Sequence, residues 1–273
     1  MRVPEREALG VGPQRNDKER GRTDERGLKA IDWPKLRTLY WFIPLVTVYT
    51  VVCGVASLVL AVVFRSGNPS HRVASFWARL ILRTCGVSVE VEGRENLVSG
   101  RTYVLASNHQ SLFDTPILFA YLPLSFRILY KKSLNRIPFL GWHLFLSGHV
   151  GVERESPAKA SESLDHAAER IRSGTSVAVF PEGTRSYDGV MRSFRKGSFR
   201  LALKAATPVV PLTISGSHLV MKRGKVTVYP RKVRLTIGEP MLVEGLTEAD
   251  AGALSERVRD VVRKKLELSA SPS

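Results

Sequence analysis

The sequence predicts an α/β domain, a mixed central sheet flanked by helices, preceded by an N-terminal membrane-anchoring helix pair. Three observations carry this reading. Short apolar runs bounded by turn residues, at 103–106, 126–130, 177–180 and 209–214, alternate with helical stretches, as strands buried on both faces do. Residues 41–64 form an uncharged run of 24 residues, about 36 Å as a helix, which matches the hydrocarbon core of a bilayer. After it, Val73, Phe76, Trp77, Leu80, Ile81 and Thr84 recur at helical spacing, with Arg72, Arg79 and Arg83 on one edge of the wheel.

Taken in order, residues 1–40 mix Arg, Glu, Asp and Gly with almost no apolar periodicity and read as a disordered charged tail. Residues 41–85 form the membrane anchor, an apolar helix plus an amphipathic one. The second helix either lies in the membrane interface or packs on the domain core. The positive-inside comparison is balanced, because Lys35 and Arg37 precede the run and Arg65 and Arg72 follow it. The catalytic domain spans 86–268. It opens on the alternating strand 87–92, which Gly93 ends.

The strand at 103–106 leads into Asn108-His109-Gln110-Ser111-Leu112-Phe113-Asp114. Pro116 fits a helix only in its first turn, so a helix begins near Asp114 or Thr115 and His109 sits in a strand-to-helix loop. On one helix a His and an Asp five apart would lie about 140° from each other. A loop and a cap can instead bring the carboxylate back to the imidazole, giving a general base with an orienting group. Taken alone, the spacing equally fits a loop histidine beside a helix N-cap.

Further on, 126–130 is a strand, and from Thr115 to Val152 there is no acid, although Arg127, Lys131, Lys132 and Arg136 are present. Residues 149–154 form a short strand ending in charge. Ser156 and Pro157 cap a helix that runs to about Ser173, where Gly174 closes it. The next strand delivers Phe180-Pro181-Glu182-Gly183-Thr184-Arg185-Ser186 to the same sheet edge as His109. There Gly183 lets backbone N–H groups approach an anion and Arg185 offers a planar fork for phosphate oxygens. Glu182 is a poor phosphate ligand and is expected to brace Arg185 or another basic group. Residues 226–229 and 232–237 read as a closing pair of strands, and Thr247 to Asp250 as a capping box starting a final helix. Residues 269–273 are a tail.

NHQSLFD followed about seventy residues later by FPEGTRS resembles the first and third signature blocks of the glycerolipid acyltransferases. The resemblance implies that His109 and Asp114 are catalytic and that Glu182, Gly183, Thr184 and Arg185 bind substrate phosphate. By the same resemblance Lys131 joins them, and Arg154 stands where the second block carries a phosphate-binding arginine. A surface arginine paired with Glu153 or Glu155 is the other reading of Arg154. Phe194-Arg195-Lys196-Gly197 and Val209 to Ile214 are similar to later family elements, which makes Lys196 and Pro211 candidates for donor and acyl contacts. For Pro211 an ordinary buried strand is equally open. The long helix and its amphipathic partner resemble the family's two-helix anchor, which holds the site against one leaflet, on the cytoplasmic face (the inner membrane in a bacterium).

The implied reaction moves an acyl group from acyl-coenzyme A or acyl carrier protein to the free hydroxyl of a lysophospholipid, lysophosphatidic acid by default. No metal or other cofactor is expected. A thiol with a pKa near about 8.5 leaves readily, so one base suffices. Consistent with this, the chain has no GxSxG elbow, no HExxH or Cys/His cluster and no GKS phosphate loop. Ser111 is the one conceivable nucleophile near His109, and direct transfer does not need it. A net charge of +16 calls for an anionic partner. Of the candidates, a membrane phospholipid surface fits better than nucleic acid, because the basic runs lack interleaved aromatics. The rival reading is a membrane-anchored, non-catalytic protein that binds anionic lipid.

Overall fold

The computed structural model describes residues 32–64, 67–137, 140–153, 156–186, 189–222 and 224–270. Residues 1–31 of the tail expected over 1–40 therefore lie outside the described residues, as does Arg154. Among the described residues one helix, not two, is long and apolar enough to cross a bilayer, and it runs unbroken over Trp33–Phe64. It consists of α1 (Trp33–Arg37), a π-helical stretch (Thr38–Phe42) and α2 (Ile43–Phe64). It starts eight residues before the uncharged run, inside the stretch expected to be a tail. Pro34 suits a first helical turn, and Leu36, Leu39 and Tyr40 extend the apolar surface past two cations.

Helix α3 (Asn68–Thr84) folds back on α2, and Trp77 Nε1 donates to Thr50 Oγ1 at 3.1 Å. Of the residues expected on its apolar face, Ile81 is buried while Phe76 is exposed. The buried stripe is His71, Ala78, Ile81 and Leu82, set against Leu118 and Phe119 of α4 (Asp114–Tyr121). Small side chains let two helices approach closely, so Ala78 settled the facing where bulk alone pointed elsewhere. Of the two positions expected for this helix, the structure shows the one packed on the core.

Seven strands form one sheet in the order β1-β7-β6-β2-β5-β3-β4. They are β1 (Ser88–Glu92), β2 (Val104–Ser107), β3 (Phe126–Lys131), β4 (Val150–Val152), β5 (Ser176–Val179), β6 (Val209–Ser215) and β7 (Lys232–Ile237). Among the pairings of the described strands, β6–β7 alone is antiparallel, so the sheet is mixed. Strand alternation gives each face its own core: Leu105, Ala178 and Leu212 pack with α3 and α4, while Val104, Val177 and Val209 face the opposite layer. That layer holds α6 (Pro157–Arg172), α7 (Gly197–Lys204) and α9 (Ala251–Ala270). Ser156 caps α6 as expected, accepting from the Lys159 N–H, and Thr247 and Asp250 form the capping box before α9.

Residues 226–229 are not a strand. Their N–H groups are used elsewhere, Tyr229 on the Val220 carbonyl and Val228 on Thr38 Oγ1 of the long helix, and Pro230 cannot donate at all. Three short α-helices were not anticipated: α5 (Leu140–Leu146), α7 and α8 (Ser217–Val220).

Where α3 meets the β3–β4 edge, three histidines surround a buried Arg127. That guanidinium donates to Ser125 Oγ, the Phe126 carbonyl and Asn68 Oδ1, and the Ile128 N–H donates to His149 Nδ1 at 3.0 Å. Burial first, and the Arg127 charge second, lowers His71 to about 4. Burial, followed by the neighbouring His143 and Arg127, lowers His149 to about 3. Both stay neutral in the folded protein while the unfolded chain protonates near pH 6.5, so this stability is complete above pH 6.5 and is lost as the pH falls towards 4 and 3. Thermal midpoints measured from pH 7 to 4 should therefore fall with acid. His149→Asn, which keeps an acceptor for Ile128, should flatten that slope, and an unchanged slope would count against this account.

Candidate active site

The carboxyl ends of three adjacent parallel strands, β6, β2 and β5, meet at one sheet edge, and the loop after β2 carries His109. Asn108, fully buried, sets that loop. Its side chain behaves as one more strand residue: Nδ2 donates to the Ile214 carbonyl at 2.9 Å and Oδ1 accepts from the Ile214 N–H at 2.8 Å. Replacing Asn108 by Ala leaves both Ile214 groups buried without partners, at about 1–3 kcal/mol each. A drop in thermal midpoint together with slower turnover is the expected outcome, read from melting curves and initial rates.

His109 Nδ1 lies 2.8 Å from Asp114 Oδ2. A carboxylate only accepts, so Nδ1 carries the proton and the hydrogen bond fixes the tautomer, leaving Nε2 to meet a substrate. The same Oδ2 accepts from the N–H groups of Gln110 at 2.7 Å and Ser111 at 2.8 Å. Asp114 is therefore an orienting group and also the anchor of the turn, and three donors hold one oxygen in place. The imidazole stacks on Phe180, centroids 4.1 Å apart, and is 19% exposed.

Glu182 is buried, and its two oxygens accept from the backbone N–H groups of His109 at 2.6 Å and Arg192 at 2.9 Å. Burial pushes its carboxyl up, and those two donors pull it back. The glutamate thus clamps the histidine loop to the loop after β5. A third tie has the Ser186 N–H donating to the His109 carbonyl at 3.0 Å. Gly183, at φ +73°, closes a turn on the Phe180 carbonyl, so its own N–H is spent there, and the Arg195 side chain packs over it where a Cβ would collide. Thr184 and Arg185 lie between these fixed points.

The remaining sequence candidates stand further off. Lys131 is exposed at the end of β3, which β5 separates from β2. Lys196 caps α7 and lies over Gly252 of α9. Pro211 is buried within β6, paired with Ala106. Ser111 is buried with its Oγ against the Met221 carbonyl and the Phe113 N–H, a poor posture for a nucleophile.

Sequence reasoning passed over Gln110 and His218. Gln110 Nε2 donates to the Gly189 carbonyl at 2.7 Å, and its Oε1 lies 3.3 Å from His218 Nδ1. Burial pushes the His218 imidazole down, while nearby Asp114 acts in the opposite direction. A lone histidine a hundred residues from the signature stretch carries no pattern that would have flagged it.

An apolar groove of about 470 Å³ borders the loop, lined by Leu112, Phe113 and Pro116 on the loop side and by Phe42, Val46, Trp77 and Ile81 on the helix side. A larger cleft of about 770 Å³ at the β4 edge contains neither His109 nor Asp114. The smaller groove is not lined by those two side chains either, but Leu112 and Phe113 of the same loop form one of its walls.

Residues 88–215 match a family model described as Acyltransferase. The 1-acyl-sn-glycerol-3-phosphate acyltransferase of Saccharomyces cerevisiae is 31% identical over 87% of this chain and 81% of its own. The enzyme so named from Borreliella burgdorferi is 32% identical over 69% of this chain and 76% of its own. The chain spans only 60% of the chloroplastic relative from Brassica napus, with which it shares 33% identity over 71% of its own length. Among solved structures, the 1-acyl-sn-glycerophosphate (LPA) acyltransferase PlsC of Thermotoga maritima superposes with a TM-score of 0.73 at 29% identity, over 88% of this chain and 98% of that one. Together with the paired His109 and Asp114, these likenesses place the chain in the acyltransferase family that contains the 1-acyl-sn-glycerol-3-phosphate acyltransferases.

Proposed function

We propose that this protein transfers a fatty acyl group from an acyl thioester to the free hydroxyl of lysophosphatidic acid, giving phosphatidic acid. The observation that carries the proposal is the 2.8 Å contact of His109 Nδ1 with a buried Asp114, on a loop clamped by Glu182 beside an apolar groove. His109 Nε2 takes the hydroxyl proton as the oxygen attacks the thioester carbonyl. Asp114 stabilises the imidazolium that forms. The tetrahedral intermediate collapses with cleavage of the C–S bond, and the thiolate leaves with little need for a proton.

The groove between the loop and the long helix takes the acyl chain. Thr184 and Arg185 receive the acceptor phosphate at the turn that Gly183 closes, with Lys131 and Arg154 as further cations. Lys196 and Pro211 are assigned to the donor side only by likeness to the family's later elements. The donor is acyl-coenzyme A or acyl carrier protein. Residues 41–85 anchor the enzyme, 86–268 form the catalytic domain, and the site works at the cytoplasmic face of the membrane.

The test is free-thiol release by detergent-solubilised protein given palmitoyl-coenzyme A and a panel of acceptors. Release with lysophosphatidic acid, and phosphatidic acid as product, is the expected result. Release with another lysolipid alone would change the acceptor and keep the mechanism. Silence with every acceptor and both donors, from folded protein, would sink the proposal.

A further inference from the structure

Helix α5 (Leu140–Leu146) exposes apolar side chains that the reaction does not use. Trp142 is 57% and Phe145 70% exposed, and Leu146 joins them at the three- and four-residue spacing of one helix face. The opposite side of the helix is held firmly. His143 Nε2 lies 2.9 Å from Ser57 Oγ of α2, and Gly141 sits against the Asn135 backbone so closely that any side chain would collide. Tyr130 then fixes Asn135 by donating its hydroxyl to Oδ1 at 2.7 Å. A rigidly mounted aromatic face left uncovered calls for an occupant.

Two features on the page identify that occupant. Phe145 and Leu146 line a cleft together with Ala61 and Val62, so the exposed face of α5 continues the apolar surface of α2. The turn that leads into α5 carries Lys132 and Arg136, and no acid occurs between Thr115 and Val152. Apolar side chains backed by cations suit the boundary between acyl chains and anionic headgroups, where tryptophan also concentrates.

We propose that α5 is a second membrane contact, an aromatic wedge that enters the acyl-chain boundary of an anionic bilayer alongside the long helix. The inference rests on the reading that the long helix enters the bilayer. Its consequence is a fixed tilt: α5 beside the end of α2 widens the inserted footprint and prevents the domain from rolling about a single helix. The β2–β5 sheet edge is thereby held in one orientation to the lipid.

The experiment places an environment-sensitive fluorophore on Phe145→Cys of the full chain reconstituted in phosphatidylcholine–phosphatidylglycerol vesicles, with Val59→Cys and Leu268→Cys for comparison. The native Cys53 and Cys85 are buried. Expected is quenching by brominated acyl chains and shielding from aqueous iodide at 145, as at 59, with the reverse at 268. Iodide quenching at 145 but not at 59 would overturn the wedge and keep the membrane helix; iodide quenching at both would overturn both. Shielding of 145 from both quenchers would mean a protein covers α5, which also overturns the proposal.

A label-free check uses Trp142→Glu combined with Phe145→Glu, both surface changes outside the reacting groups. Acyl transfer to vesicle-embedded acceptor should fall about tenfold, with the rate on detergent-dispersed acceptor unchanged. Equal rates in vesicles would count against the wedge.

Discussion

Replacing His109 by Ala is expected to lower acyl transfer by about 10²–10⁴-fold while moving the thermal midpoint by only a few degrees. The range is that of a positioned general base. The small structural effect follows from the contacts. Asp114 Oδ2 loses one donor of three and keeps the Gln110 and Ser111 N–H groups. The loop stays pinned by Glu182 on the His109 backbone N–H and by Asn108 on β6, neither of which involves the imidazole. Losing one such hydrogen bond is worth about 1 kcal/mol, or roughly 2–4 °C for a domain of this size. Rates by thiol release and melting by circular dichroism are the two measurements. An active His109→Ala protein would remove the base from the mechanism.

Asp114→Ala is expected to damage both quantities. Turnover should fall by a similar factor of about 10²–10⁴, because the imidazole loses its tautomer lock and its counter-charge. Stability should fall too, since the buried Gln110 and Ser111 N–H groups lose their acceptor, at about 1–3 kcal/mol each. Asp114→Asn separates the two roles. Its amide oxygen can still accept from the backbone, so most of the stability returns, while an uncharged partner leaves the activity low. If Asp114→Asn and Asp114→Ala both melted early yet turned over at the wild-type rate, Asp114 would be a helix cap and nothing more. That is the alternative its spacing from His109 left open.

The position of the site was legible because it rests on local chemistry. Pro116 fixes where α4 can begin, and that makes His109 a loop residue; Ser156 and the Thr247 to Asp250 box mark two more helix starts by side-chain capping. Apolar runs of four to six residues found β2, β3, β5 and β6, since strands buried on both faces need no partner to be recognised. The strand expected at 226–229 failed because its composition suits a strand, while its N–H groups are taken by Val220 and Thr38. Composition cannot say which acceptor a backbone will meet.

The sequence by itself determined the α/β class, the long apolar helix, and the loop that brings His109 and Asp114 together within five residues. Each of these is decided by neighbours along the chain, through periodicity, capping or hydrophobic length. Only the tertiary structure decided that Glu182 clamps the histidine loop through backbone N–H groups, that Asn108 completes a strand, and that α3 buries the face carrying His71, Ala78, Ile81 and Leu82. Apart from the Arg192 N–H, ten residues from Glu182, those contacts join residues between about 40 and 106 positions apart, and neither a backbone group nor a packed apolar face carries a sequence signature of its partner.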